Sequence, residues 1–319
     1  MYKGGNMNKK VVVLGGGTGL SALLRGLKQF PLDITAIVSV CDDGQSTGVL
    51  RKEFNIPAVG DIRKVIVALS ETEPLIEKLL NYRFSTSSDL NNHTIGNLLL
   101  TALANITGNM SDGIESLAKV LNLRGNVLPL TEDNVTLVGR MQDETIIEGE
   151  HYITKAGKVI KEVYYKENPE VNPKALEAIK NADLIILSMG SLFTSIIPNL
   201  ICKEMIDAID NCSAKIMYVC NMMTQPGETA DFKVSDHVKL LNSYLGKKKV
   251  NIVVANNGYI DKNIVEKYAS LEQKDPVILD KENIPEDINL ICSNFVSLEE
   301  GTIRHDVIKL STYIFSSLL

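Results

Sequence analysis

Val11-Val12-Val13-Leu14-Gly15-Gly16-Gly17-Thr18-Gly19-Leu20 decides the reading of this chain. Four apolar residues make a buried strand, four glycines among the next five make a tight loop, and the apolar-periodic segment Ser21–Phe30 makes a helix. Glycine lets the backbone turn sharply and lets a ligand approach bare N–H groups. A helix N-terminus behind such a loop favours an anion, most often a phosphate. Gly15, Gly16, Gly17, Thr18 and Gly19 are therefore expected to hold a phosphorylated ligand. The spacing is not the G-x-G-x-x-G of dinucleotide folds, because Leu20 takes the third glycine's place.

Working outward, Ile34–Val40 reads as a second buried strand that ends in the polar loop Cys41-Asp42-Asp43-Gly44-Gln45-Ser46-Thr47-Gly48. Helices are expected from Asp61 to Leu69 with Asp61 as N-cap, from Leu75 to Tyr82, from Ile95 to Asn105 and from Ser111 to Leu121. The period then changes. Val135–Met141, Thr145–Thr154 and Val159–Lys166 alternate apolar and polar residues, as the strands of a small antiparallel meander do. Strands follow at Leu184–Ser188, Lys215–Asn221, Asn251–Asn257 and Pro276–Leu279, with helices starting near Thr194, Ser235, Asp261 and Arg304. Strands alternating with helices imply βαβ units and a parallel sheet. The expected fold is α/β: one Rossmann-like, doubly wound, three-layer domain over residues 9–319, with an antiparallel β insertion at 135–166.

The chain has 319 residues and a net charge of −6, which argues against a general nucleic-acid binder. Its five cysteines are scattered, with no C-x-x-C pair for a zinc cage or disulfide framework. No apolar run is long enough to span a bilayer and no secretory signal is evident, so a cytoplasmic location without membrane insertion is expected. Met7 reads as the natural start.

Ligands of open parallel sheets sit beyond the carboxyl ends of the strands. There the sequence places Gly15–Gly19, Asp42–Gly48, Gly190-Ser191, Asn221 with Thr224-Gln225, and Asn256-Asn257. Asp42 and Asp43 stand where a Rossmann acid grips ribose. Asp43 with Asp61 could instead hold Mg²⁺ beside phosphates. Gly44, Ser46 and Thr47 offer an anion nest, and Arg51 and Arg63 offer planar forks to phosphate oxygens. His93, beside Asn97 at a helix start, is placed to donate to a phosphate or move a proton. Gly190-Ser191 is a second phosphate-loop candidate, while Asn221, Thr224 and Gln225 suit base or sugar recognition. His151 and His237 have no chemical context.

The ordered set of these motifs resembles the YvcK/CofD-like family, and within it the YvcK branch, the gluconeogenesis factors. The motifs are Gly15–Leu20, Asp42-Asp43-Gly44, Gly60-Asp61-Ile62-Arg63, His93–Leu99, Gly190–Leu200 and Asn221–Thr229, and the likeness runs from Val11 to about His305. It implies a cytoplasmic bacterial protein that binds UDP-sugars and serves cell shape, or morphogenesis, and growth on gluconeogenic carbon sources. Regulatory or cell-wall-synthesis protein partners and a homo-oligomer fit that role. In the same region as the family's cleft, Tyr268 and Arg304 become candidates for the base and the diphosphate. The CofD branch implies the alternative, a Mg²⁺-dependent transferase moving a phospho-lactate-type group from a guanine-nucleotide donor. A third reading, an NAD-binding oxidoreductase, lacks both the regular glycine spacing and a proton-relay pair. The chain departs from the family pattern at Gln45, where glycine is usual, at Thr47 for serine, and at Ser188-Met189 for Gly-Pro. A glutamine resists the positive φ that a glycine adopts freely.

Overall fold

The computed structural model describes residues 8–299 and 302–319, so the expected start at Met7 lies outside the described residues. The first half of the chain runs β1 (Lys9–Gly15), α1 (Gly17–Leu27), β2 (Leu32–Val38), α2 (Gln45–Phe54), α3 (Val59–Leu69), α4 (Pro74–Asn81), α5 (Ile95–Thr107), α6 (Met110–Val120) and β3 (Asn126–Pro129). The middle holds β4 (Leu137–Met141), β5 (Ile146–Glu148), α7 (Glu150–Ala156) and β6 (Ile160–Tyr165). The rest runs α8 (Pro173–Lys180), β7 (Leu184–Leu187), α9 (Lys203–Asn211), β8 (Lys215–Val219), α10 (Val234–Tyr244), β9 (Ile252–Asn256), α11 (Lys262–Glu272), β10 (Asn289–Ser293), β11 (Val296–Glu299), β12 (Thr302–His305) and α12 (Val307–Ser316).

Seven strands form one sheet in the order β10-β9-β8-β7-β1-β2-β3. All its pairings are parallel. Alternate residues of each strand face opposite layers, as the pleat requires. Val11 and Val13 of β1 join Leu20, Leu23, Leu24 and Leu27 of α1, with α3, α5, α6 and α12, in one core. Val12 and Leu14 join α8, α9, α10 and the small antiparallel sheet in the other. Each of those buried leucines stabilises the α1 layer by about 1.5–3 kcal/mol. This is the expected three-layer Rossmann-like α/β fold. The chain winds outward from β1 to β3, then returns to lay β7 on the other side of β1. The topological switch point, where such sheets bind ligands, therefore falls between the carboxyl ends of β1 and β7.

Several element boundaries differ from the sequence reading. Between Thr145 and Thr154 only Ile146–Glu148 is strand; Gly149, at φ +98°, turns the chain into α7. α7 carries the chain over β4, so the small sheet has the order β5-β4-β6 and is not a meander. Pro276–Leu279 is not a strand, since Pro276 has no N–H to offer a ladder and makes only an isolated bridge with Met223. The place at that edge belongs to β10, and the opposite edge to β3. Gln45–Gly48 is the first turn of α2 and not loop. α3 begins at Val59, so Asp61 is a first-turn residue and Ala58 is the cap. The helix expected near Thr194 is a single π turn, Leu192–Ile196, broken by Pro198. Arg304 lies in β12 and does not open α12.

Candidate ligand-binding cleft

The glycine loop and the β7 loop are locked together by backbone packing. A Cβ on Gly19 would lie 2.4 Å from the Met189 carbonyl oxygen, and one on Gly15 would lie 2.1 Å from Ser188 Oγ. Gly17 sits at φ +64°, the left-handed region that favours glycine. α1 starts behind Gly16 with no side-chain cap and no acid in its first turn, which leaves its terminal N–H groups facing outward.

These N–H groups open on a cleft of about 890 Å³ lined by the glycine loop, Gly190-Ser191, Asn221–Gln225, Tyr268 and the β11–β12 hairpin. Arg304 is exposed on this hairpin and bounds the cleft. The Tyr268 ring is only 8% exposed and its hydroxyl accepts the Ile303 N–H at 2.9 Å. His305 Nε2 donates to the Cys220 carbonyl at 3.2 Å, and burial pushes its pKa down to about 4. Tyr268 and His305 thus pin the hairpin that carries Arg304. Asn221 Nδ2 donates to the Gly190 carbonyl at 3.0 Å, while its Oδ1 is buried at the cleft wall with no partner among the described residues. Thr224 spends its hydroxyl on the Asp275 N–H, and the Gln225 N–H goes to Thr229 Oγ1. Ser191 caps the π turn through Thr194 and donates to the buried Glu228 carboxylate, so its hydroxyl is already engaged.

Deeper in, a pocket of about 270 Å³ shares Gly17, Thr18, Ser191, Ser195 and Gln225 with the cleft and adds Asp42, Asp61, Glu150 and Glu228. It is rich in acid. Burial, then Asp42 and Asp61, push the Glu150 carboxyl up to about 7. Burial also raises Glu228, and burial with Asp61 raises Asp42. Asp61 pairs with Lys64 at 2.9 Å. Asp43 turns away to accept the His151 N–H at 2.8 Å, at the start of α7, so of the three aspartates only Asp42 and Asp61 join Glu150 and Glu228 in lining the pocket. Among the described residues no three His, Cys, Asp or Glu side chains form a metal cage. Asp42 and Asp61 suit Mg²⁺, which needs one or two carboxylates and takes its other ligands from phosphate and water.

A third cavity, of about 220 Å³, lies against Asp42 and Lys64 and is lined by Gly44–Thr47, Arg63, Arg83 and Asn97. Arg63 Nε donates to Asn97 Oδ1 at 3.0 Å, which turns the Asn97 amide nitrogen toward Ser46 Oγ at 3.1 Å. Ser46 Oγ in turn lies 2.9 Å from His93 Nδ1. His93 is therefore buried behind Ser46, one step removed from the cavity. Arg51 does not reach a ligand. Its guanidinium is buried and donates to the Cys41, Asp42 and Val135 carbonyls and to Asn134.

The sequence reading missed Glu150 and Glu228. Glu228 had a signal, since it stands in the quoted Asn221–Thr229 motif. Glu150 has none, because the alternation around it reads as strand where the fold has the start of α7.

The chain has relatives of known sequence and of known structure. The family model described as 2-phospho-L-lactate transferase CofD matches residues 11–296. A gluconeogenesis factor of Halalkalibacterium halodurans is 45% identical over 309 residues, covering 96% of this chain and 95% of that protein. The gluconeogenesis factor of Bacillus subtilis is 43% identical over 311 residues, covering 97% and 98%. An X-ray crystal structure of a Bacillus halodurans protein superposes with a TM-score of 0.93 at 44% identity, covering 97% of this chain and 99% of that one. No helix among the described residues is long and apolar enough to cross a membrane. With a family match over most of its length and relatives this close, the chain belongs to the CofD family.

Proposed function

We propose that this protein is a gluconeogenesis factor that acts by binding a UDP-sugar, as a regulator of growth on gluconeogenic carbon and of cell shape. The gluconeogenic role follows the names of its full-length relatives. The choice of a UDP-sugar follows the likeness to the YvcK branch. One observation carries the binding reading: the uncapped α1 N-terminus opens on a cleft whose rim holds an exposed arginine free of any acid partner among the described residues. A diphosphate placed there meets the helix N–H groups on one side and the Arg304 fork on the other. The unpartnered Asn221 Oδ1 offers an acceptor to a sugar hydroxyl or base N–H.

The test is calorimetric titration with UDP-N-acetylglucosamine. Arg304→Ala should lose about 1–3 kcal/mol, roughly ten- to a hundredfold in affinity. Tyr268→Phe keeps the ring but frees the hairpin from its hydroxyl anchor, and should weaken binding less than Arg304→Ala. Unchanged affinity in both variants would place the sugar nucleotide elsewhere.

The second reading, a Mg²⁺-dependent transferase, draws on the family description and on Asp42 and Asp61 beside the glycine loop. On that reading a divalent cation tightens nucleotide binding, because it offsets carboxylate–phosphate repulsion. Equal affinity in EDTA and in excess Mg²⁺ removes this support.

A further inference from the structure

The smallest of the three cavities has a polarity of its own. Its floor is the first turn of α2, a ten-residue helix that starts behind Gly44 with no side-chain cap and no acid in its first turn. Its walls carry Arg63, Lys64 and Arg83, with Asp42 as the acid. Lys64 is already paired with Asp61.

Arg63 is the independent sign of a ligand. It is 8% exposed, and its Nε and Nη1 donate only to the neutral amide oxygens of Asn97 and Asn81. Among the described residues no carboxylate lies within ion-pair distance of it and no hydrogen bond engages Nη2. A buried cation in that condition is costly unless something neutralises it. Burial, and next the like charge of Arg83, push its pKa down, while Asp61 and Asp42 pull the other way. The Asp42 carboxylate is partly spent on the Gly44 N–H at 3.0 Å.

We propose that this cavity is a second anion site, separate from the nucleotide cleft, which takes a phosphoryl group as a phosphate monoester or as free phosphate. A guanidinium edge, the Arg83 charge and the α2 N–H groups approach from several directions, which suits a tetrahedral anion better than a planar carboxylate. A volume of about 220 Å³ is ample for such a group. Two uncapped helix starts, α1 and α2, thus serve two anions divided by Asp42 and Lys64. The site does not depend on the nucleotide reading.

The experiment titrates the full chain with inorganic phosphate, with methyl phosphate as the monoester and acetate as the carboxylate control. Saturable phosphate binding that persists in saturating UDP-N-acetylglucosamine is expected, with acetate much weaker. Methyl phosphate binding as tightly as inorganic phosphate identifies a monoester site, and its exclusion identifies a site for free phosphate. Arg63→Gln and Arg83→Ala should each weaken phosphate binding about tenfold. Arg83→Ala should leave the UDP-N-acetylglucosamine affinity unchanged. Should Arg63→Gln not fold, the exposed Arg83 decides the matter. Loss of sugar-nucleotide binding with phosphate binding intact would defeat the nucleotide reading and leave this one standing. No saturable phosphate binding, displacement of phosphate by UDP-N-acetylglucosamine, or indifference to Arg83→Ala overturns it.

Discussion

Two arginines on neighbouring helices, Arg51 on α2 and Arg63 on α3, both carry forks that could meet phosphate, and the fold uses them differently. Arg51 lies beneath the Asp42 loop with its donors given to the Cys41, Asp42 and Val135 carbonyls and to Asn134. Arg63 lies beside the same loop with a bare edge turned to a cavity. Neither is paired with an acid among the described residues. Arg51 is satisfied by the ends of backbone segments, so it holds the loop's shape; Arg63 is not, so it is available to a ligand. The loop between them then separates an acid-lined pocket from a cation-lined one. Burial alone does not distinguish a structural arginine from a binding one; the count of satisfied donors does.

The largest test of that contrast is Arg51→Ala. It orphans three carbonyls and the Asn134 amide oxygen, each a loss of about 1–3 kcal/mol when buried, and the net destabilisation should be about 4 kcal/mol after water relieves some of them. Arg63→Gln should cost far less stability, because it removes bonds to two amides only. Urea midpoints compare the two. If both variants lose the same stability, the division into a structural and a binding arginine fails.

The acid-lined side has its own test in Glu150. Its carboxyl is pushed from 4.5 up to about 7, chiefly by burial. The native state therefore holds this proton more tightly than the unfolded chain does. The resulting stability is fully present below pH 4.5 and is lost as pH rises to about 7. The loss should approach about 3 kcal/mol by pH 8. Glu150→Gln removes the charge and keeps the shape, so it should abolish that slope and exceed the parent's stability at pH 8. Parallel pH–stability curves for the two proteins would show that Glu150 is solvated after all.

The frame of the site was legible because short-range chemistry writes it: the glycine loop, the apolar run of β1 and the strand–helix alternation each follow from neighbouring residues. What was not legible depends on distant packing. β3 and β10 are edge strands of four and five residues, too short to show a period. The α7 turn hides inside an alternating pattern that Gly149 breaks, and with it went Glu150. Asp42 and Asp43 are adjacent in sequence, yet one faces the acidic pocket and the other caps α7, a division that only the position of α7 decides. Tyr268 was a candidate for the base, and the fold gives its hydroxyl to Ile303.

The smallest effect concerns the two loops that end in uncapped helices. Gly17 at the start of α1 and Gln45 at the start of α2 both have left-handed backbone, φ +64° and φ +40°. The first is a glycine, and the second is a glutamine, whose Cβ resists that region. A side chain in that region costs about 1–2 kcal/mol, and a glycine costs about 0.4–1 kcal/mol through the freer unfolded chain. Gln45→Gly should therefore stabilise the protein by about 0.5–1 kcal/mol, and Gly17→Ala should destabilise it by a similar amount. A Cβ on Gly17 meets nothing closer than Asp61 Oδ2 at 3.7 Å, so strain and not collision sets that cost. Thermal midpoints of the pair, read against the parent, give both signs. A loss on Gln45→Gly would mean that the glutamine side chain makes a contact worth more than its strain, and the α2 loop would then be held by its side chains where the α1 loop is held by its backbone.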